Sequence, residues 1–396
     1  MNSISFSCQG ESHIASGKVC QDYSYSHIYE NGYGIAIVCD GHGGRRYFRS
    51  DIGAKIAAKV AEIKVNGFIE EAGELLLKGT PFVQRGTVSD QIAKEDFAKS
   101  SDTERAFRWL FGSIISEWNA VVAAHAEYNP LTDSEKTGLE EHWIKDFEEG
   151  QNLEKVYGCT LMLCVCTPDH WFAFQIGDGK CFACDEEGDW KEPIPWDDNC
   201  FLNKTTSICD SNAINEFRYC YCGDGTFPIA VILGSDGIDD SFGAEENQAN
   251  FYVQILKSLA KDGIDATETE IQTTLPQLSK IGSRDDMSIA MLFDLHSVST
   301  TLPHLIQWQI DNVKALIAKE NEIISRANSI LLSFKNIENP TRQNVIDCQY
   351  AQADEKRALE SKGKLESRLE NLQSELHPDK DCNEDFPKDY YSESCF

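Results

Sequence analysis

Three apolar stretches of the sequence end in the same dipeptide, an aspartate followed by a glycine. Asp40-Gly41, Asp178-Gly179 and Asp236-Gly237 each follow a run of aliphatic and aromatic residues that is typical of a β-strand. One such pair is an ordinary turn at the end of a strand, because both residue types favour turns. Three copies suggest that several carboxylates meet at one edge of a sheet.

Two more acidic positions lie beside predicted strands. Asp22 opens an early strand, and Asp285 and Asp286 stand directly before a strand that begins at Met287. If these strand ends meet, repulsion among the carboxylates would raise their pKa values and destabilise the fold unless cations neutralise them. Carboxylate oxygens favour Mg²⁺ or Mn²⁺ over zinc. Because a pair of such ions can hold a phosphate group and activate water, the pattern predicts phosphate chemistry.

The elements that must position these residues come in separate strand-rich and helical blocks. β-Branched and aromatic runs predict strands at residues 4–8, 22–29, 34–39, 159–166, 171–176, 217–222, 227–233 and 287–295. Apolar residues recur at helical spacing within residues 45–143 and again within 247–259. Segregated strands and helices favour an α+β layered sandwich over a doubly wound parallel sheet.

The strand pattern ends near residue 297, and the chain beyond it has a different character. We expect a catalytic domain over residues 1–297, a linker over 298–304, two long helices over 305–376 and a polar, disordered tail over 377–396. The first long helix has an apolar seam formed by Ile306, Ile310, Val313, Ile317, Ile324, Ala327 and Leu331. The two helices either form an intramolecular hairpin or a coiled coil that binds a second copy or another partner.

Composition excludes several classes of partner and site. The chain has 36 basic and 65 acidic residues, a net charge of -29, so we expect neither a nucleic-acid nor a membrane partner. Its 15 cysteines are scattered through apolar runs, which predicts reduced core residues. Cys181 and Cys184 are spaced like zinc ligands but have no second pair with that spacing. The sequence contains no apolar run of membrane-spanning length and no secretion signal, so we expect a cytoplasmic protein.

Five motifs occur in the order known from one protein family. They are Asp40-Gly-His-Gly-Gly44, Gly158-Cys-Thr160, Gly177-Asp-Gly-Lys180, Ser235-Asp-Gly-Ile-Asp-Asp240 and Asp285-Asp-Met-Ser288. In this order they resemble the motifs of the PPM family, the type 2C metal-dependent protein phosphatases. Gly10-Glu-Ser-His13 and Cys20-Gln-Asp22 are similar to the opening of its bacterial branch, so the resemblance covers about residues 3–295.

The resemblance implies a fold and an activity. The fold would be a four-layer αββα sandwich, in which two antiparallel sheets pack face to face and helices flank them. The activity would be hydrolysis of phosphoserine and phosphothreonine in proteins by a water activated between two Mn²⁺ or Mg²⁺ ions. Asp40 would bridge the two ions, Gly41 would give its carbonyl to one of them, and Asp236 and Asp285 would bind the other. The substrate would be a phosphoprotein, the target of a serine/threonine kinase.

Other residues of the resemblance have supporting roles. Asp178 would bind a weaker third ion, and Asp22 would hold water on the metal. His42 would protonate the leaving oxygen, with a hydrogen-bonded structural histidine as the alternative. The residue that binds phosphate is Lys18, Arg45 or neither, because Lys18 lacks the forked guanidinium that suits phosphate.

The sequence departs from the family pattern at Gln21, Lys180 and Asp286, where an acidic residue, an arginine and an asparagine are usual. None of these changes removes a predicted ligand of the two main ions. The main alternative is a catalytically silent relative that binds phosphoproteins or regulates a partner. A nucleotide-binding enzyme is disfavoured because the glycines after Asp40 lack a following Gly-Lys-Ser/Thr. A scaffold organised by the C-terminal helices is a third class and is compatible with activity.

Overall fold

The strands form two antiparallel sheets in a computed structural model that describes residues 1–87, 101–200, 204–242 and 245–377. The strands are β1 (Asn2–Cys8), β2 (Tyr23–Ile28), β3 (Gly34–Cys39), β4 (Val83–Arg85), β5 (Leu161–Cys166), β6 (Trp171–Ile176), β7 (Lys180–Cys184), β8 (Trp190–Lys191), β9 (Arg218–Cys222), β10 (Ala230–Gly234) and β11 (Met287–Phe293). The first sheet has the order β1, β11, β10, β7, β8, and the second has the order β2, β3, β5, β6, β9, β4.

Helices connect and cover the strands. They are α1 (Glu11–Ser16), α2 (Ser50–Phe68), α3 (Glu74–Leu77), α4 (Asp102–Tyr128), α5 (Asp133–Lys136), α6 (Glu141–Glu148), α7 (Leu153–Val156), α8 (Ala213–Glu216), α9 (Asp236–Asp239), α10 (Glu245–Asp262), α11 (Ile264–Ile281), α12 (Leu295–Lys335) and α13 (Arg342–Leu376). A 3₁₀ turn at Arg45–Tyr47 precedes α2, and a π-helical turn at Ile69–Gly73 follows it. Among the described helices, none has the length and apolarity needed to cross a membrane.

Two buried layers hold the sheets and helices together. Between the sheets, Val38, Cys164, Ala183, Leu233 and Leu292 lie in one apolar cluster. On the outer face of the second sheet, α2 and α4 bury a larger cluster against β3, β5, β6 and β9. Helix α11 packs against β1 of the first sheet. This arrangement confirms the predicted α+β fold class, a four-layer αββα sandwich of two antiparallel sheets flanked by helices.

The eight predicted strands are confirmed. The sequence analysis missed three strands, the long helix α11 and the four short helices α1, α7, α8 and α9. Strands β4 and β8 have three and two residues, too few for an alternating pattern to be visible. The five residues of β7 include only one large apolar residue, Phe182, so no alternating pattern is visible. Pro276 lies inside the missed helix α11.

The cysteines are core residues, as predicted. Thirteen cysteines of the described chain are free, and of these only Cys20 is less than fully buried. Cys181 and Cys184 lie within β7, and Cys181 packs in the apolar cluster between the sheets. Burial raises the pKa of Cys184, so a neutral thiol is the stable form there.

The C-terminal helices form a separate unit. The chain divides into residues 1–300 and residues 301–396. Within the second unit, Ile306, Ile310 and Val313 of α12 pack with Leu369 and Leu372 of α13. The helices therefore fold back on each other as the hairpin alternative predicts, and the apolar seam of α12 faces α13. Self-association through residues 305–376 stays a prediction, and the predicted tail, apart from His377, lies outside the described residues.

The predicted linker at residues 298–304 is helical, because α12 runs without a break from Leu295 to Lys335, and the division of the chain after residue 300 falls within it. The expectation rested on a polar stretch that ends at Pro303. A proline inside a helix removes one backbone hydrogen bond and costs roughly 3 kcal/mol. Val298 is fully buried and Leu302 packs against the core of the hairpin, and burial of these side chains offsets that cost.

We predict that residues 1–300 fold without the C-terminal hairpin. Every strand of the described chain lies within this range, so both sheets and the core between them stay intact. Thermal unfolding of the purified fragment, followed by circular dichroism, should show a cooperative transition. Its midpoint temperature should be close to that of the corresponding transition in the full chain. An insoluble or non-cooperative fragment would show that the hairpin is required for folding.

Candidate active site

Asp40 stands at the end of a central, fully buried strand. It directly follows β3, all of whose residues are buried. The backbone N–H of Asp40 donates to Oγ1 of Thr160 at 3.0 Å, and the N–H of Thr160 donates to the Asp40 carbonyl at 2.8 Å. The next residue, Gly41, forms an isolated bridge with Cys159. The start of β5 therefore fixes the backbone around Asp40.

Asp236 stands at the corresponding position in the other sheet. It follows β10 and begins the single turn of α9. The N–H of Ser235 donates to the Ser288 carbonyl at 2.9 Å, which ties this corner to β11. A Cβ at Gly237 would lie 2.0 Å from the carbonyl oxygen of Asp286. Glycine follows Asp236 because the neighbouring backbone approaches too closely for any side chain.

The structure brings Asp22, Asp40 and Asp236 into mutual electrostatic contact. Burial, followed by repulsion from Asp236 and Asp22, raises the pKa of Asp40 well above its usual range. Burial raises the pKa of Asp236 to about 7, although its hydrogen bond with Asp40 acts in the opposite direction. Burial and the negative charge of their neighbours therefore favour the neutral forms of Asp22, Asp40 and Asp236.

Asp22 has a buried oxygen without a partner. Its Oδ2 is shielded from solvent and forms no hydrogen bond, and only 5% of the residue is exposed. Burial and then repulsion from Asp286 and Asp236 raise the pKa of Asp22. An unpaired buried carboxylate oxygen is costly unless a cation or a proton balances it. This is the feature that a bound divalent cation would explain.

The carboxylates fit a hard divalent cation by their chemistry but not yet by their arrangement. All the donors are oxygens, which suits Mg²⁺ or Mn²⁺. In the ranges that the structure describes, no group of three or more His, Cys, Asp and Glu side chains is already arranged to hold a metal ion. Asp285 lies exposed just before β11, where its charge acts on both Asp22 and Asp236.

Asp178 lies at the end of β6, near a second pair of carboxylates. Burial raises its pKa, a hydrogen bond from Thr205 acts against that shift, and repulsion from Asp240 adds to it. Asp239 and Asp240 lie three and four residues after Asp236, at or just beyond the end of the same helical turn. Burial raises the pKa of both of them. The structure therefore places Asp178 beside Asp240, a neighbour to which the sequence analysis gave no role.

His42 is a half-buried histidine with a fixed hydrogen bond. Its Nε2 lies 2.7 Å from Oγ of Ser207, and its ring packs edge-on against Tyr47. Burial lowers the pKa of His42 to about 4. The neutral imidazole therefore predominates at neutral pH, which works against the predicted role of His42 as a proton donor.

The two candidate phosphate-binding residues lie in different environments. Nζ of Lys18 donates to the Gly43 carbonyl at 3.0 Å, which places this exposed ammonium on the loop that follows Asp40. Arg45 is exposed in the 3₁₀ turn that follows the same loop. Arg49, four residues after Arg45, is buried and pairs with Glu135 at 2.7 Å, so it is a structural residue.

Sequence reasoning missed four side chains that contact or surround the predicted ones. Asp239 and Asp240 were within a quoted motif, and helical spacing from Asp236 could have identified them. Thr205 and Ser207 hydrogen-bond to Asp178 and His42 from a loop between β8 and β9. No pattern in that loop signals these contacts, because they depend on how the chain returns to the site.

The match to a family model agrees with this fold and site. The model is described as protein phosphatase 2C and matches residues 9–276, more than half of the chain. This chain therefore belongs to the protein phosphatase 2C family, as the sequence motifs predict. No curated protein matches the sequence at a significant level.

Several known structures are remotely similar. A serine/threonine phosphatase of Staphylococcus aureus is 13% identical, with 74% of this chain and 94% of that chain covered and a TM-score of 0.42. The serine/threonine phosphatase of S. agalactiae is 15% identical, with 74% and 98% covered and a TM-score of 0.42. A sex-determining protein of C. elegans is 14% identical, with 76% and 67% covered and a TM-score of 0.43.

Proposed function

We propose that this protein is a metal-dependent phosphatase that hydrolyses phosphoserine and phosphothreonine in proteins. Membership of the protein phosphatase 2C family supports the reaction class. The observation that carries the proposal is the group of carboxyl groups around Asp40, in which Asp40 and Asp236 are half-buried and the buried Asp22 has an unpaired oxygen. A buried group of this kind needs positive charge to be stable in its ionised form.

The chain's own residues would hold two divalent ions, Mn²⁺ or Mg²⁺. In our proposal Asp40 and the carbonyl of Gly41 would bind one ion. Asp40, Asp236 and Asp285 would bind the other. When bound, such a pair supplies positive charge beside the phosphoryl group and lowers the pKa of a nearby water. Thr160 holds the backbone of Asp40 in place, so that this carboxylate is oriented before substrate arrives.

Asp22 and Asp178 have secondary roles in this proposal. Asp22 would accept hydrogen bonds from water at the first pair of ions through its unpaired oxygen. Asp178, beside Asp240, would serve a third and weaker ion. His42 would donate a proton to the leaving oxygen, although its lowered pKa, caused by burial, favours the neutral ring at pH 7. Ser207 orients the His42 ring through a 2.7 Å hydrogen bond.

We predict that Lys18 contributes to binding the phosphorylated substrate. Its ammonium lies beside the Gly43 carbonyl near Asp40, where it can attract a phosphate. Because the side chain is exposed, Lys18→Ala should raise the KM for a phosphopeptide about threefold to tenfold and change kcat less. Lys145→Ala is a matched control, since Lys145 is exposed on α6. A rise in KM for Arg45→Ala and none for Lys18→Ala would assign the phosphate to Arg45.

The alternative is a catalytically silent member of the family that binds phosphoproteins. One measurement separates the two: phosphate release from a phosphoserine peptide and from a small aryl phosphate by the full chain, with and without Mn²⁺ or Mg²⁺. We expect release that requires the metal ion. Peptide binding without release at any metal concentration would support the silent alternative and defeat our proposal.

A further inference from the structure

The buried carboxylate of Asp286 lies beside the candidate active site, outside the predicted set of metal ligands. Only 3% of the residue is exposed. Its Oδ1 accepts a hydrogen bond from the N–H of Gly10 at 2.6 Å. Its Oδ2 accepts one from the N–H of Gln21 at 2.6 Å and one from Nδ1 of His13 at 2.8 Å. Three protein donors bind the two oxygens, so this carboxylate is a structural residue rather than a ligand of a bound ion.

These hydrogen bonds join two segments that each carry a carboxylate of the proposed site. Gln21 comes immediately before Asp22, and Asp286 comes immediately after Asp285. The N–H of Asp286 also donates to Oδ1 of Asp285 at 2.9 Å. One residue therefore holds the backbone that leads into Asp22 with its side chain and orients Asp285 with its backbone.

The N-terminal segment also fits closely against the turn that carries Asp285. A Cβ at Gly10 would lie 2.3 Å from the backbone carbon of Asp285, so residue 10 must be glycine for the segments to approach. The N–H of Ser12 donates to the Arg284 carbonyl at 2.9 Å. The close approach explains the glycine of the Gly10-Glu-Ser-His13 motif, and the bond to Asp286 explains its histidine. The proposed reaction gives neither residue another role.

We propose that Asp286 and His13 are positioning residues that hold together the two backbone segments carrying Asp22 and Asp285, so that a divalent cation can bind between them. The inference rests on the proposed function, because it concerns the same metal site. Neither residue contacts the reacting atoms. Side chains that orient metal ligands from outside the ligand set typically change metal affinity about 10-fold to 100-fold when they are replaced.

The test compares Mn²⁺ affinity across four variants of the full chain. Asp286→Asn keeps the shape of the side chain but replaces one acceptor oxygen with an NH₂ group, which is a donor. At least one buried N–H is then left unpaired. His13→Leu removes a single donor and is the milder change if Asp286→Asn fails to fold. His13→Asn restores an N–H donor close to the position of Nδ1. Isothermal titration with Mn²⁺ gives the dissociation constant without any assay of activity.

Glu62 is also a buried carboxylate with three hydrogen-bond donors, so it is a matched control for Asp286. It lies on α2 with 7% of its surface exposed, and it accepts hydrogen bonds from Tyr25 at 3.0 Å, Tyr29 at 2.8 Å and Lys59 at 2.7 Å. None of its donors adjoins a residue of the proposed site. Glu62→Gln should lower the thermal stability, as Asp286→Asn does, and leave the Mn²⁺ dissociation constant unchanged.

We expect Asp286→Asn and His13→Leu to weaken Mn²⁺ binding about 10-fold to 100-fold. His13→Asn and Glu62→Gln should bind Mn²⁺ like the wild type. Unchanged affinity in the first two variants, or equal weakening in Glu62→Gln, overturns the positioning role while the proposed function stands. A wild-type chain that binds no Mn²⁺ at millimolar concentration overturns the proposed function itself and this inference with it.

Discussion

Replacing Asp40 with Asn is expected to reduce phosphopeptide hydrolysis to the uncatalysed background while the chain stays folded. Asp40 is the one carboxylate assigned to both ions, so its loss weakens both at once. Phosphate-monoester hydrolysis is among the slowest uncatalysed reactions and requires accelerations of up to about 10²¹-fold, which a single general base does not supply. The fold should survive because Asn keeps the size of the side chain and relieves repulsion from Asp22 and Asp236.

Asp178→Asn is the control for this variant. It removes a half-buried carboxylate that follows β6 of the same sheet, but one assigned only to a third, more weakly bound ion. Hydrolysis should be measured against Mn²⁺ concentration for the wild type and both variants. Substantial activity of Asp40→Asn at saturating Mn²⁺ would contradict the assignment of Asp40 to both ions. Equal losses of activity in the two variants would contradict the more weakly bound third ion assigned to Asp178.

Removing divalent metal should abolish hydrolysis and also make the protein less stable as the pH rises. Burial raises the pKa of Asp236 to about 7, whereas its value in an unfolded chain is near 3.8. A group whose folded pKa is raised stabilises the fold most below its unfolded pKa, and this contribution is lost as the pH rises through the folded value. In a chelator, the free energy of unfolding should therefore fall between about pH 4 and pH 7. For Asp236 alone, the decrease is of the order of a few kcal/mol.

Mn²⁺ should reverse this trend, because a bound cation favours the ionised carboxylates. Melting temperatures measured from pH 5 to pH 8, in chelator and in Mn²⁺, give both effects in one experiment. Asp40→Asn in chelator should show a shallower decline, since one repelling carboxylate is gone. Equal slopes in chelator and in Mn²⁺ would mean that no cation binds at these carboxylates.

The sequence by itself determined the fold class and the main acidic residues. An apolar run that ends in Asp-Gly is a local pattern, and the strands that lead to Asp40, Asp178 and Asp236 follow from residues within a few positions of each. The order of the five motifs then predicted the family that the family model confirms. Alternating and helical periodicities report on local backbone structure, so these predictions needed no knowledge of distant contacts.

Only the tertiary structure decided which distant residues meet. Asp286 bonds to Gln21 across 265 positions of the sequence, and His42 bonds to Ser207 across 165. The tertiary structure also decided that the seam of α12 packs on α13 and that α12 continues through Pro303. Such outcomes depend on the total burial that a packed arrangement achieves and on hydrogen bonds between segments that are remote in sequence. Local periodicity carries no information about either, because it is set by neighbours within one or two turns.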